Sequence, residues 1–103
     1  MVFMSLDVKD FIQDACKATP GFEYYPKKFT EFDLKKIIDL LRKNDYYISK
    51  DNSPFYVHVK RKNIEMTVFS SGKIIIKNTE DEDEGEQILK ELLVYVNMIL
   101  DES

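Results

Sequence analysis

The sequence predicts an α+β chain: an antiparallel sheet covered on one face by helices. Three observations carry this. Three β-like runs, Phe55–Arg61, Ile64–Phe69 and Lys73–Lys77, follow one another with very short connections, which is the pattern of a meander. A segment from about Glu80 to Leu100 repeats apolar residues at helical spacing. Two shorter helical patterns precede the meander. At 103 residues the chain is one domain, long enough for an ordinary core without disulfides or a structural metal.

Taken in order, Ser5 or Asp7 is placed to cap a first helix running to about Ala18, with Val8, Phe11, Ile12 and Ala15 on one face and Pro20-Gly21 ending it. "FEYYPKKF" is then extended or a tight turn. Thr30, followed three residues on by Asp33, approximates a capping box for a second helix whose buried stripe is Leu34, Ile37, Ile38 and Leu41. Asn44-Asp45 stops that helix, and "DYYISKDNSP" holds a short strand and a polar turn. The last helix presents Ile88, Leu92, Tyr95 and Ile99 on one stripe and Leu89, Leu93, Val96 and Leu100 beside it. Its acidic start, "TEDEDEGEQ", suits the positive end of the helix dipole and reads as a solvated helix start.

The net charge of −4 conceals an asymmetry. Residues 1 to 53 are balanced, residues 54 to 77 carry five basic side chains against one acidic, and residues 78 to 103 carry one basic against nine acidic. Cys16 and His58 are the only residues of their kinds, so neither an intrachain disulfide nor a Cys/His zinc site is expected. With no leader-like start and no apolar run long enough to span a bilayer, the expected setting is intracellular: cytoplasmic, or nucleoid or nuclear.

Register decides what the sheet presents, because a one-residue slip exchanges its faces. A two-residue Ser71-Gly72 turn pairs Phe69 with Ile74 and mixes charged with aliphatic residues on both sides. A three-residue Ser70-Ser71-Gly72 turn with Gly72 left-handed instead pairs Val68 with Ile74 and Met66 with Ile76 on one face. Phe69 with Lys73, Thr67 with Ile75 and Glu65 with Lys77 then share the other. A Lys62-Asn63 turn in the preceding hairpin agrees, pairing Val59 with Met66, Val57 with Val68, Tyr56 with Phe69, His58 with Thr67 and Lys60 with Glu65. One face is therefore Val57, Val59, Ile64, Met66, Val68, Ile74 and Ile76, which helices must cover. The other is Tyr56, His58, Lys60, Glu65, Thr67, Phe69, Lys73, Ile75 and Lys77. That second face suits plain solvation, a protein partner, or a nucleic acid with Lys60, Lys73 and Lys77 near phosphates and Tyr56, Phe69 and Ile75 against bases or sugars.

No arrangement of residues suggests an enzyme. His58 has no Ser or Cys partner at a telling spacing and reads as a surface residue; Cys16 reads as a core residue of the first helix. No cofactor, metal or small-molecule substrate is implied.

"MTVFSSGKIIIKNTEDEDEGEQILKEL" resembles the strand, turn, strand and long helix that close each half of the TATA-binding protein. "LDVKDFIQDACKATPGFEYYPKKF" is similar to the first helix and "EYxPxxF" element of the same half-repeat, with "MVFMS" where the family's first strand would lie. The resemblance covers about 80 residues in the right order and implies a curved antiparallel sheet, backed by helices, whose open face meets the DNA minor groove. By position it gives Phe29 and Phe69 the roles of apolar wedges at a kinked base step, for which the handling of DNA by this family is a known example. It sets Thr67, Lys73, Ile75 and Lys77 at neighbouring groove-facing positions. The chain matches one half only, so a homodimer or a related protein partner is implied, and residues 31 to 53 form an insertion within the single domain 1 to 103. The expectation is a nucleic-acid-binding protein, DNA first, with transcription as the candidate process, acting through Phe29, Tyr56, Lys60, Thr67, Phe69, Lys73, Ile75 and Lys77. The alternative is a protein-interaction or assembly module on the same fold, suggested by the double apolar stripe of the last helix with Tyr95 and Met98.

Overall fold

The computed structural model describes residues 5–15 and 20–101. It is an α+β structure: a six-stranded, wholly antiparallel, open sheet with two helices packed on one face. In chain order the elements are β1 (Phe11–Ala15), β2 (Gly21–Pro26), α1 (Leu34–Lys43), β3 (Tyr47–Asn52), β4 (Tyr56–Arg61), β5 (Ile64–Phe69), β6 (Ile74–Lys77) and α2 (Glu82–Asp101). The strands lie in the order β1-β2-β6-β5-β4-β3. The chain thus leaves β2, passes through α1 to the far edge, and returns strand by strand until β6 closes against β2.

The meander has the register the sequence implies. Val57 pairs with Val68 and Val59 with Met66, while Tyr56 faces Phe69 and His58 faces Thr67. Val68 pairs with Ile74, Met66 with Ile76, Thr67 with Ile75 and Glu65 with Lys77. The turn between β5 and β6 has three residues, closed by Phe69 N–H donating to the Lys73 carbonyl (3.0 Å) and Gly72 N–H to the Phe69 carbonyl (3.0 Å). Gly72 has φ +92°, the left-handed conformation that a side chain disfavours. The turn is also clamped from both sides: Ser70 N–H donates to the Phe55 carbonyl and Phe32 N–H to the Ser70 carbonyl.

The aliphatic face is buried as required. Val57, Val59, Met66, Val68, Ile74 and Ile76 join Leu34, Ile37, Ile38 and Leu41 of α1 and Leu89, Leu92, Leu93 and Val96 of α2 in one core. At roughly 1.5–3 kcal/mol per fully buried aliphatic side chain, this layer is the main source of stability. Both stripes of α2 are absorbed, because the sheet takes one side and α1 the other. Tyr46, just after α1, packs edge-on against Tyr95 at 5.8 Å between ring centroids. Ile88, Tyr95, Ile99 and Leu100 are half-buried against the core, leaving Val94 and Met98 as the exposed apolar residues of α2. The acidic residues Glu80 to Glu84 are exposed around the helix start, where the Asp81 carboxylate accepts from the Asp83 N–H (2.9 Å).

Two expectations fail. Among the described residues the first helix is absent: Asp7 does cap, but it caps a 3₁₀ turn of three residues, Val8–Asp10, with a reciprocal Asp7–Asp10 capping box. The chain then extends as β1, pairing Phe11 with Pro26, Gln13 with Tyr24 and Ala15 with Phe22. Phe11 is buried and Ile12 exposed, a period of two where the helix reading needed both on one face. The second correction concerns α1, whose cap is Asp33, its carboxylate accepting from the Lys36 N–H (3.3 Å), so Thr30 lies outside the helix and bonds its hydroxyl to the Lys28 carbonyl. Cys16 and most of "MVFMS" lie outside the described residues. The segment 31 to 53 extends the existing layers: α1 joins the helical side and β3 widens the sheet, and neither roofs the open face.

Candidate nucleic-acid interface

Side chains alternate between faces along a strand, so the register arranges the uncovered face in rows running across the strands. One row reads Ile12, Tyr25, Lys73, Phe69, Tyr56, Asn52. The next reads Asp14, Glu23, Ile75, Thr67, His58, Lys50. The third holds Lys77, Glu65, Lys60 and Tyr47, with Gly21 facing Lys77. The rows differ in chemistry: the first is aromatic, the second mixed, and the third charged.

The aromatic row is packed from within. Tyr56 and Phe69 lie 5.8 Å apart between centroids and tilted by 46°, and His58 in the next row is 5.1 Å from Tyr56. The Lys73 ammonium sits between two rings, 5.2 Å from Tyr25 and 5.4 Å from Phe69. It also pairs with the Glu23 carboxylate at 3.2 Å, and this contact, reinforced by Tyr25, holds its pKa above the ordinary lysine value. Lys50 lies 5.7 Å from the Tyr56 ring.

In the middle row, Thr67 is only 5 % exposed, and its hydroxyl shares a 2.8 Å hydrogen bond with His58 Nδ1 whose direction follows the imidazole tautomer. Burial pushes the His58 pKa below the usual imidazole value, and the Lys50 and Lys77 ammonium groups push it further, against a smaller opposing effect of Glu65. Lys60 pairs with Glu65 at 3.4 Å. Ser49, Lys50, His58, Lys60, Glu65 and Lys77 line a shallow hollow at this end of the face. Ser49 is the extra residue of a bulge in β3, and its hydroxyl donates to the His58 carbonyl (3.3 Å).

Seven of the eight residues expected at the site share this face: Tyr56, Phe69 and Lys73 in the aromatic row, Thr67 and Ile75 in the middle row, Lys60 and Lys77 in the charged row. Phe29 is on the loop after β2, 92 % exposed, and lines a hollow with Tyr25, Pro26, Lys28, Ser71 and Lys73 at the rim. Sequence reasoning missed Tyr25 and Glu23, Ile12 on β1, and Lys50. The alternation of Phe22 and Tyr24 inward with Glu23 and Tyr25 outward was available in "GFEYYP". What was not available was the pairing of β2 with β6, which places Tyr25 next to Lys73. Counted over the three rows, the face carries four lysines, Lys50, Lys60, Lys73 and Lys77, and three carboxylates, Asp14, Glu23 and Glu65.

Among the described residues, no group of three or more His, Cys, Asp or Glu side chains is placed to hold a metal ion, and no helix is long and apolar enough to cross a membrane. Comparison of the chain with protein-family models, with curated proteins and with solved structures found no match.

Proposed function

We propose that this chain is a nucleic-acid-binding protein, with DNA as the first candidate ligand and no catalytic activity, working through the uncovered face of its sheet. The observation that carries the reading is the row of Tyr25, Phe69 and Tyr56 interleaved with Lys73 and flanked by Lys50, on a face that neither helix covers. Aromatic rings offer stacking surface to bases or sugars, and ammonium groups offer charge to phosphates. The resemblance to half of the TATA-binding protein supports the same face, with Phe29 and Phe69 as its apolar contacts, although the segment matched to that family's first helix is here a 3₁₀ turn and a strand.

The test is retardation of labelled DNA at low and at high salt, with light scattering on the same sample to establish whether the binding species is a homodimer. Binding is expected to weaken as salt rises, because it releases counterions. Phe69→Ala should weaken it more than Lys60→Ala, whose ammonium is already paired with Glu65. Absence of a shift at low salt overturns the proposal.

The alternative, a protein-interaction module, draws on a different observation: Ile12, Phe29 and Phe55 are large apolar residues left in water. The excess of apolar surface first expected on α2 gives it less support, since both stripes of that helix lie in or against the core and its exposed apolar residues, Val94 and Met98, lie outside them. A stable, salt-insensitive dimer that ignores DNA favours this alternative.

A further inference from the structure

Resting on the nucleic-acid reading, we infer that the face takes an unpaired strand, with bases laid on the Tyr25–Phe69–Tyr56 row and the phosphodiester backbone passing over the hollow between Lys50 and Lys77.

The rows supply the geometry. From Tyr56 to His58, or from Phe69 to Thr67, is two residues along a strand, about 6.6–6.8 Å. That is comparable to the span between a nucleotide's base and its own phosphate. A base resting on Phe69 or Tyr56 therefore brings a phosphate to the second row and the edge of the hollow. Two cations await it there. Lys60 is paired with Glu65 and Lys73 with Glu23, whereas Lys50 and Lys77 are in no ion pair among the described residues. The Ser49 and His58 side chains add polar groups to the same wall.

A duplex fits this surface less well. Its base faces are hidden in the stack, and only base edges reach the grooves. Its affinity comes mainly from neutralising many phosphates, and the three rows hold nearly as many carboxylates as lysines. The Phe69 ring also stands beside Tyr56 and under Lys73, half-buried in a continuous row, so it is a platform element more than a protruding blade. Sheet faces that carry stacked aromatics are a known solution for unpaired strands, and stacking tolerates any base because each has a π face.

The experiment is fluorescence anisotropy with a labelled oligodeoxynucleotide of about 12 residues, a length within the range of known single-strand sites, against the same sequence annealed to its complement. The single strand is expected to bind at least about tenfold more tightly. Phe69→Leu and Tyr56→Leu keep apolar bulk but remove the flat ring, and each should weaken single-strand binding roughly 5- to 150-fold, the range of one missing base stack. Lys50→Ala with Lys77→Ala should lower the slope of log affinity against log salt by about 0.7 for each phosphate that is no longer neutralised. Circular dichroism on every variant separates loss of binding from loss of fold. Equal or tighter duplex binding overturns this inference and leaves the nucleic-acid reading standing. Single-strand binding indifferent to both ring substitutions overturns it as well. Failure of both probes at low salt, with folded protein, overturns the nucleic-acid reading itself.

Discussion

Gly72→Ala probes the turn that orients the candidate face. Gly72 has φ +92°, and an L-residue held in left-handed backbone costs about 1–2 kcal/mol. A Cβ built there lies 2.9 Å from Pro26 Cγ and 3.2 Å from Thr30 Cβ. The Pro26 ring terminates β2 and is not a flexible tip, so the crowding adds the order of an overpacked core site, about 1–3 kcal/mol. Alanine stiffens the unfolded chain and returns about 0.4–1 kcal/mol. The net destabilisation is about 1–5 kcal/mol, centred near 3. For a domain of this size the central value lowers the melting temperature by roughly 12–24 °C and the low end by about 4 °C. Circular dichroism melts and urea titrations of wild type and variant measure it, with an unchanged urea slope expected because the surface exposed on unfolding is the same. A variant within about 3 °C of wild type would refute the left-handed three-residue turn, and with it the register that turns Phe69 outward.

Two further outcomes are expected. Asp33→Ala should cost about 0.5–2 kcal/mol by removing the α1 cap, while Thr30→Ala, outside the helix, should stay within about 0.5 kcal/mol; equal losses would restore Thr30 as the cap. His58, the only histidine, should titrate by NMR below the ordinary imidazole value of about 6.5, because burial, Lys50 and Lys77 disfavour its charged form. In the window between that value and its lower folded midpoint the unfolded chain holds more protons, so this group's contribution to stability is full above about 6.5 and is lost as pH falls through the folded midpoint. A midpoint at or above the ordinary value would contradict the position of His58 between the two ammonium groups.

The meander was legible because its information is local. Short turns leave few registers, and only one of them separates Val68 and Met66 from Phe69 and Thr67. The α1 stripe was also legible: Leu34, Ile37, Ile38 and Leu41 follow helical spacing and all four are buried. Val8, Phe11, Ile12 and Ala15 repeat the same spacing over the same eight residues, yet that segment is a 3₁₀ turn and a strand, so periodicity by itself does not separate the two cases. There the decision came from β2, whose backbone groups pair with those of Phe11 to Ala15.

By itself, then, the order of residues determined the α+β class, the register of β4 to β6, and an outward-facing group around Tyr56, Phe69 and Lys73. Tertiary structure alone decided that β2 closes against β6, which sets Tyr25 beside Lys73 and Glu23 within reach of its ammonium. It also decided that β3 joins the far edge and brings Lys50 to His58. For Lys50 the physical reason is the bulge between Ile48 and Lys50, which sets its register against His58; for the β2–β6 pairing it is sequence separation. About fifty residues lie between Tyr25 and Lys73, and no turn geometry or periodicity spans them. Their meeting depends on which strand edge remains unpaired once α1 and α2 have covered the aliphatic face.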